Sequence, residues 1–132
     1  MDSTKTNPTA AITTVEALLQ AYGAGQRDFS NINLPNCNLQ GQNLKGADFS
    51  YADFSGGNFS QANLRGVDLS YAVLRGCKLT ETNLRGVMLI GTDLQETDLT
   101  MANVQEADYD PEKTRFPDGF DPGAAGMKSD RV

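Results

Sequence analysis

Carboxylates and thiols are the side chains in this chain that could do chemistry: seventeen Asp and Glu and two cysteines, with no histidine among 132 residues. Two carboxylates held together could exchange a proton as general acid and base, and an activated thiol could act as a nucleophile. The absence of histidine removes the commonest general base and the commonest zinc ligand. Cys37 and Cys77 are too few for a disulfide framework and lack CxxC spacing. Seven of the eleven acids between Arg27 and Pro111 recur at one repeated position where Asp and Asn interchange, as in Asp48, Asn58, Asn63 and Asp68. An amide cannot serve as a general acid or base, so the repeat accounts for these acids better than catalysis does. The glycines recur at fives and precede no helix, which excludes a loop that cradles phosphate. No catalytic residue, metal site or cofactor site is expected, and the chain reads as a non-enzyme.

The elements that carry these residues follow from the repeat. From Arg27 to Pro111 the chain divides into seventeen five-residue units without an insertion, and every central residue, from Phe29 and Leu34 to Val104 and Tyr109, is apolar or aromatic. The residue before the centre is Asp or Asn in fourteen units, with Val73, Lys78 and Met88 as exceptions. A period of five matches neither a helix at about 3.6 nor a strand at about 2. A short extended stretch followed by a corner does satisfy it: each unit forms one side of a polygon with its centre pointing inward. The position two earlier, often Ala, shares that inward direction by strand alternation. Glycine at the last position, as in Gly46, Gly66 and Gly86, suits the corner because it tolerates positive φ.

Units such as Ala47-Asp48-Phe49-Ser50-Tyr51 and Ala62-Asn63-Leu64-Arg65-Gly66 resemble the A(D/N)LXX motif of the pentapeptide-repeat family. The resemblance covers about two-thirds of the chain. It implies an all-β solenoid, a right-handed quadrilateral β-helix of four units per coil, here about four coils. Ladders at twenty-residue spacing agree with such coils: Asn43, Asn63, Asn83 and Asn103 on one side, with Lys45, Arg65 and Arg85 beside them. Another side repeats Asp28, Asp48, Asp68 and Asp108. Cys37 and Cys77 then lie two coils apart, nearly 10 Å by strand spacing, too far for a disulfide.

Solenoid ends need covering. Thr13-Thr14-Val15-Glu16 reads as a capping box with Thr13 as N-cap, and Val15, Leu18, Leu19 and Tyr22 follow at helical spacing up to a stop at Gly23. Residues 1–12 are expected to be a loose tail, 13–26 a capping helix and turn, 27–111 the β-helix, and 112–132 an irregular cap and tail. Pro111, Pro117 and Pro122 argue against further regular coil, while Phe116 and Phe120 can fold back over the last one. The segment from Thr114 to Pro122 resembles the closing segment of cyanobacterial members of the family.

Apolar residues at outward positions are the most informative deviations. Tyr51, Tyr71, Val73, Met88 and Ile90 converge, in this register, on one side and its edge. Exposed apolar clusters rimmed by polar groups mark contact surfaces. The function expected is therefore a protein–protein interaction module on a rigid scaffold, its partner another protein or a second copy of the chain. No nucleic-acid, membrane or small-molecule partner is expected: the formal net charge is −6, no apolar run could span a bilayer, and the column is filled. The opening residues lack the charged and apolar regions of a secretory signal, which makes the cytoplasm the expected location.

The resemblance also raises a rival role, since some family members bind gyrase as acidic mimics of duplex DNA. The regular region holds eleven acids and six bases along about 20 Å. Duplex DNA carries on the order of two charges every 3.4 Å, several times more. The Lys45, Arg65 and Arg85 ladder also opposes mimicry.

Overall fold

A computed structural model describes residues 12–129. Its backbone is organised by single-residue parallel bridges between positions twenty apart: Asp28 with Asp48, Asn33 with Asp53, Asn38 with Asn58, Asn43 with Asn63, and so on upward. Four five-residue units therefore complete one coil, and four sides carry the ladders. The first side runs through Asp28, Asp48, Asp68, Met88 and Asp108; the second through Asn33, Asp53, Val73 and Asp93. The third carries Asn38, Asn58, Lys78 and Asp98, and the fourth Asn43, Asn63, Asn83 and Asn103. Among the described residues no strand is longer than two residues, because a corner follows every short extended stretch.

From the Phe29 unit to the Leu84 unit, each is tied to the next coil by three backbone bonds. On the first side, Phe29 N–H donates to the Asp48 carbonyl at 2.8 Å, Asp48 N–H to Arg27 at 2.8 Å, and Asn31 N–H to Ser50 at 2.9 Å. Within the coil, Gly57 N–H closes a four-residue turn on the Phe54 carbonyl at 2.9 Å, and the third turn residue, Gly56, has φ +72°. That is the arrangement of a type II turn, whose third residue must be left-handed.

The preference for Asp or Asn before each centre has a local cause. Asp48 Oδ1 accepts the Ser50 N–H at 2.9 Å, Asn63 Oδ1 the Arg65 N–H at 3.1 Å, and Asp93 Oδ1 the Gln95 N–H at 3.0 Å. Only the Oδ1 acceptor is needed, which both residues supply, and such side-chain turns favour them. Val73, Lys78 and Met88 have no oxygen to offer.

Inside, the central residues pile in register. Leu44, Leu64 and Leu84 are buried one above another, and Phe49, Phe54 and Phe59 meet edge-to-face with ring centroids 5.0 and 5.1 Å apart. Such pairs add to the burial of their large apolar surface. Hydroxyls that enter this interior are satisfied: Thr82 and Thr92 donate to the Phe59 and Leu69 carbonyls at 2.8 and 2.7 Å. Cys37 and Cys77 are buried free thiols, with Gly57 on the coil between them. A Cβ on Gly57 would lie 3.1 Å from the Cys37 sulfur.

Helix α1 spans Val15–Gly23 and buries Leu18 in the same core. Two of its details differ from the sequence expectation. The N-cap is Thr14, not Thr13, because the side-chain oxygen must reach the N–H three residues on, and Thr14 Oγ1 accepts the Ala17 N–H at 3.1 Å. The left-handed residue after the helix is Gly25 (φ +105°), with Gly23 still helical. Gln26 N–H reaches the Ala21 carbonyl and Gly25 N–H the Tyr22 carbonyl, both at 3.0 Å, the Schellman pattern. Tyr22 Oη donates to the Lys45 carbonyl at 2.7 Å, tying the helix to the first coil. Ile12, assigned to the loose tail by sequence, is buried in the core; the rest of that tail, residues 1–11, lies outside the described residues.

The ladder does not stop at Pro111. Asp93 bridges to Arg115, a spacing of 22 that absorbs a two-residue insertion, and Thr114 Oγ1 donates to the Leu89 carbonyl at 2.7 Å. Thr114 thus does what Thr92 does one coil below. Strand β1 (Asp108–Tyr109) then pairs in parallel with β2 (Lys128–Ser129), restoring the spacing of twenty. Prolines at 111, 117 and 122 sit in the loops between these pairings, where no ladder N–H is lost.

Candidate docking surface

Among the described residues no three His, Cys, Asp or Glu side chains are placed to hold a metal ion. Burial pushes the Cys37 thiol up to about 11 and the Cys77 thiol up to about 12, so both stay protonated and poorly nucleophilic.

The outward apolar residues occupy the corner between the first and second sides and the flanks next to it. Tyr51 and Tyr71 stand at successive corners, in the left-handed region at φ +63° and +61°. Their rings stack with centroids 5.3 Å apart and planes 14° from parallel. Above them the next corner is Gly91, and Tyr71's ring lies where a Cβ on Gly91 would be. Tyr51 is 60% exposed and Tyr71 41%.

Val73 is on the second side, bridged between Asp53 and Asp93, while Met88 is on the first, between Asp68 and Asp108. Both are exposed. Ile90, two residues past Met88, is half-buried, and its carbonyl accepts the Tyr71 N–H at 2.8 Å. The five residues named from sequence thus fall on two adjacent sides around one corner rather than on one side and its edge. Carboxylates rim them, and Arg75 joins the rim through ion pairs to Asp93 (3.8 Å) and Glu96 (3.4 Å).

Met101, exposed to 78%, is an outward apolar residue that the sequence reading passed over. The same signal that marks Tyr51, an apolar residue in the unit's last position, could have found it. It stands at the opposite corner, between the third and fourth sides, apart from the tyrosines.

A narrow, filled column with flat hydrogen-bonded sides, each coil stacked on the last, is a solenoid. The family model described as pentapeptide repeats (8 copies) matches residues 28–61, 62–100 and 77–108. The chain belongs to the pentapeptide-repeat family, whose fold is the right-handed quadrilateral β-helix.

Among solved structures it is similar to alr5209, a pentapeptide repeat protein from Nostoc PCC 7120, at 43% identity and a TM-score of 0.87. That match covers 89% of this chain and 97% of the other. HetL from the same strain, involved in heterocyst differentiation regulation, is 40% identical over 73% of this chain and 45% of its own, with a TM-score of 0.33. Rfr23 from Cyanothece 51142 is 26% identical over 67% of this chain and 63% of its own, with a TM-score of 0.40. No curated protein matches the chain. Among the described residues no helix is long and apolar enough to cross a membrane.

Proposed function

We propose that this protein is a non-enzymatic protein-binding module, a rigid column of a little over four coils that docks another protein on its tyrosine corner. The observation that carries the reading is the Tyr51–Tyr71 stack. Two bulky residues are held in left-handed backbone, where neither glycine's freedom nor asparagine's side chain eases the cost, and their rings remain exposed. Val73 and Met88 flank them at positions where Asp or Asn would supply a turn bond. Giving up that bond on both sides of one corner is understandable if the corner meets a partner. Helix α1 acts as the lower cap of the column, and the segment after Tyr109 as the upper one.

DNA mimicry finds less support. The fourth side is cationic, with Lys45, Arg65 and Arg85 stacked beside neutral Asn43, Asn63 and Asn83. A duplex mimic needs a continuous negative surface.

The test uses substitutions that the repeat itself tolerates. Tyr71→Gly places at a corner the residue found at Gly91, and Met88→Asn restores the turn acceptor. The double variant should keep its circular dichroism spectrum and melting cooperativity but lose capture of the proteins that the unmodified chain retains from host extract. Unchanged capture by the folded variant would show that the tyrosine corner is not the docking surface. Sedimentation of the unmodified chain distinguishes a second copy from a different partner.

A further inference from the structure

The upper coil ends in an unpaired sheet edge on its third side. One coil lower, Leu79 N–H donates to the Asp98 carbonyl and Glu81 N–H to the Thr100 carbonyl, both at 2.9 Å. The Cys77 carbonyl accepts the Asp98 N–H at 3.2 Å. The equivalent groups above are Leu99 N–H, Met101 N–H and the Thr97 carbonyl, and among the described residues none of them has a partner. Three groups in strand order therefore point up the column, spaced as they are wherever two coils join. An exposed edge of this kind is a template for one more strand.

The space above that edge is open. A groove of about 440 Å³ separates Thr97–Thr100 from Pro117–Phe120. Its floor is Leu99, which is only partly buried although Leu39, Phe59 and Leu79 beneath it are fully covered. Phe120 forms part of the facing wall. The groove has two ionic side chains, Asp98 and Asp118, and no lysine or arginine lines it.

We infer that this edge docks an extended segment of a partner protein in which lysine or arginine alternates with apolar residues, added as one further strand. The backbone groups supply main-chain bonds. Leu99 and Phe120 take an apolar side chain on one face of the segment, and Asp98 and Asp118 meet its cations. Strand alternation puts the two kinds of side chain on opposite faces of the added segment. The tyrosine corner belongs to other sides of the column, so this site stands or falls independently of it.

The probes are two heptapeptides, one alternating lysine with valine and one alternating glutamate with valine. Amide exchange followed by NMR on the full chain should show Leu99 and Met101 exchanging freely when alone and slowing at least tenfold with the lysine peptide. Asp98→Asn with Asp118→Asn should weaken that binding by roughly tenfold; Asn at 98 keeps the turn acceptor, so folding is preserved. Asp28→Asn with Asp68→Asn, the same charge change on the first side, should leave it unaltered, as should Tyr71→Gly with Met88→Asn. Four results would each overturn the inference: protection of Leu99 and Met101 without peptide, no protection with it, equal binding of the glutamate peptide, or equal weakening by the first-side pair.

Discussion

The demanding position in each unit is the last. Sixteen corners from Asn31 to Glu106 adopt positive φ; seven are glycine and nine are not. Left-handed backbone costs a residue with a Cβ on the order of 1–2 kcal/mol, less for asparagine. The glycines at these corners are consequently not equivalent to substitution. At Gly66 a Cβ meets nothing within 4 Å, whereas at Gly91 it collides with the Tyr71 ring. Gly66→Ala should therefore cost about 1 kcal/mol in urea unfolding, the backbone term alone. Gly91→Ala should cost at least about 1 kcal/mol more, because the ring must move. Equal losses would mean that Tyr71 does not rest on that corner.

Helix α1 matters through its ends as much as through Leu18. Thr14 caps the first turn and Gly25 completes the last, so the nine-residue helix enters and leaves at set points over the first coil. A helix this short is marginal by itself and depends on caps and packing. Thr14→Ala should lower stability by about 1 kcal/mol, measured by denaturant midpoint, and Thr13→Ala should change it little. The reverse ranking would restore the capping-box reading in which Thr13 holds the helix. At the opposite end, the fifth-coil pairings through Arg115 and Lys128 show how an insertion is absorbed: the loop lengthens, and the next unit regains the ladder.

Across the whole column, charge is distributed as ladders, and the ladders make stability depend on pH. Asp28 is held below the usual carboxylate range by bonds from the Ser30 hydroxyl and N–H, and Asp98 by the Thr100 hydroxyl and N–H. A carboxyl whose folded pKa is depressed stabilises the fold above its unfolded pKa, about 3.9, and that contribution fades as pH falls through the folded value. Thermal midpoints should accordingly be level from about pH 5 to 7 and decline below about pH 4. Both groups are exposed, so solvent limits the effect. Asp28→Asn with Asp98→Asn should flatten the decline and lower the neutral-pH midpoint slightly, because the variant lacks the contribution that acid removes from the unmodified chain. An unaltered acid slope in that variant would assign the loss to other carboxylates.

Much of this architecture is written in the amino-acid order because the rule repeats every five residues. The period of Phe29, Leu34, Leu39 and their successors dictates inward centres, and the Asp or Asn before them dictates turns. Those are local requirements, met within three or four residues. Contacts between coils join residues twenty apart, and their consequences needed the tertiary structure. Stacking placed Val73 across a corner from Met88 and Ile90, and laid Tyr71 over Gly91. It also forced Tyr51, Tyr71 and Met101 into backbone that composition alone would assign to glycine. The choice between Thr13 and Thr14 as cap turned on which hydroxyl reaches the Ala17 N–H, a matter of orientation that two adjacent threonines conceal. Past Pro111 the five-residue rhythm is lost from the sequence, yet Arg115 and Lys128 rejoin the ladder because backbone hydrogen bonding recognises geometry and not side-chain pattern. The open edge at Leu99 and Met101 is a matter of geometry too: among the described residues no backbone group meets those donors, and only the folded coil reveals that they are left.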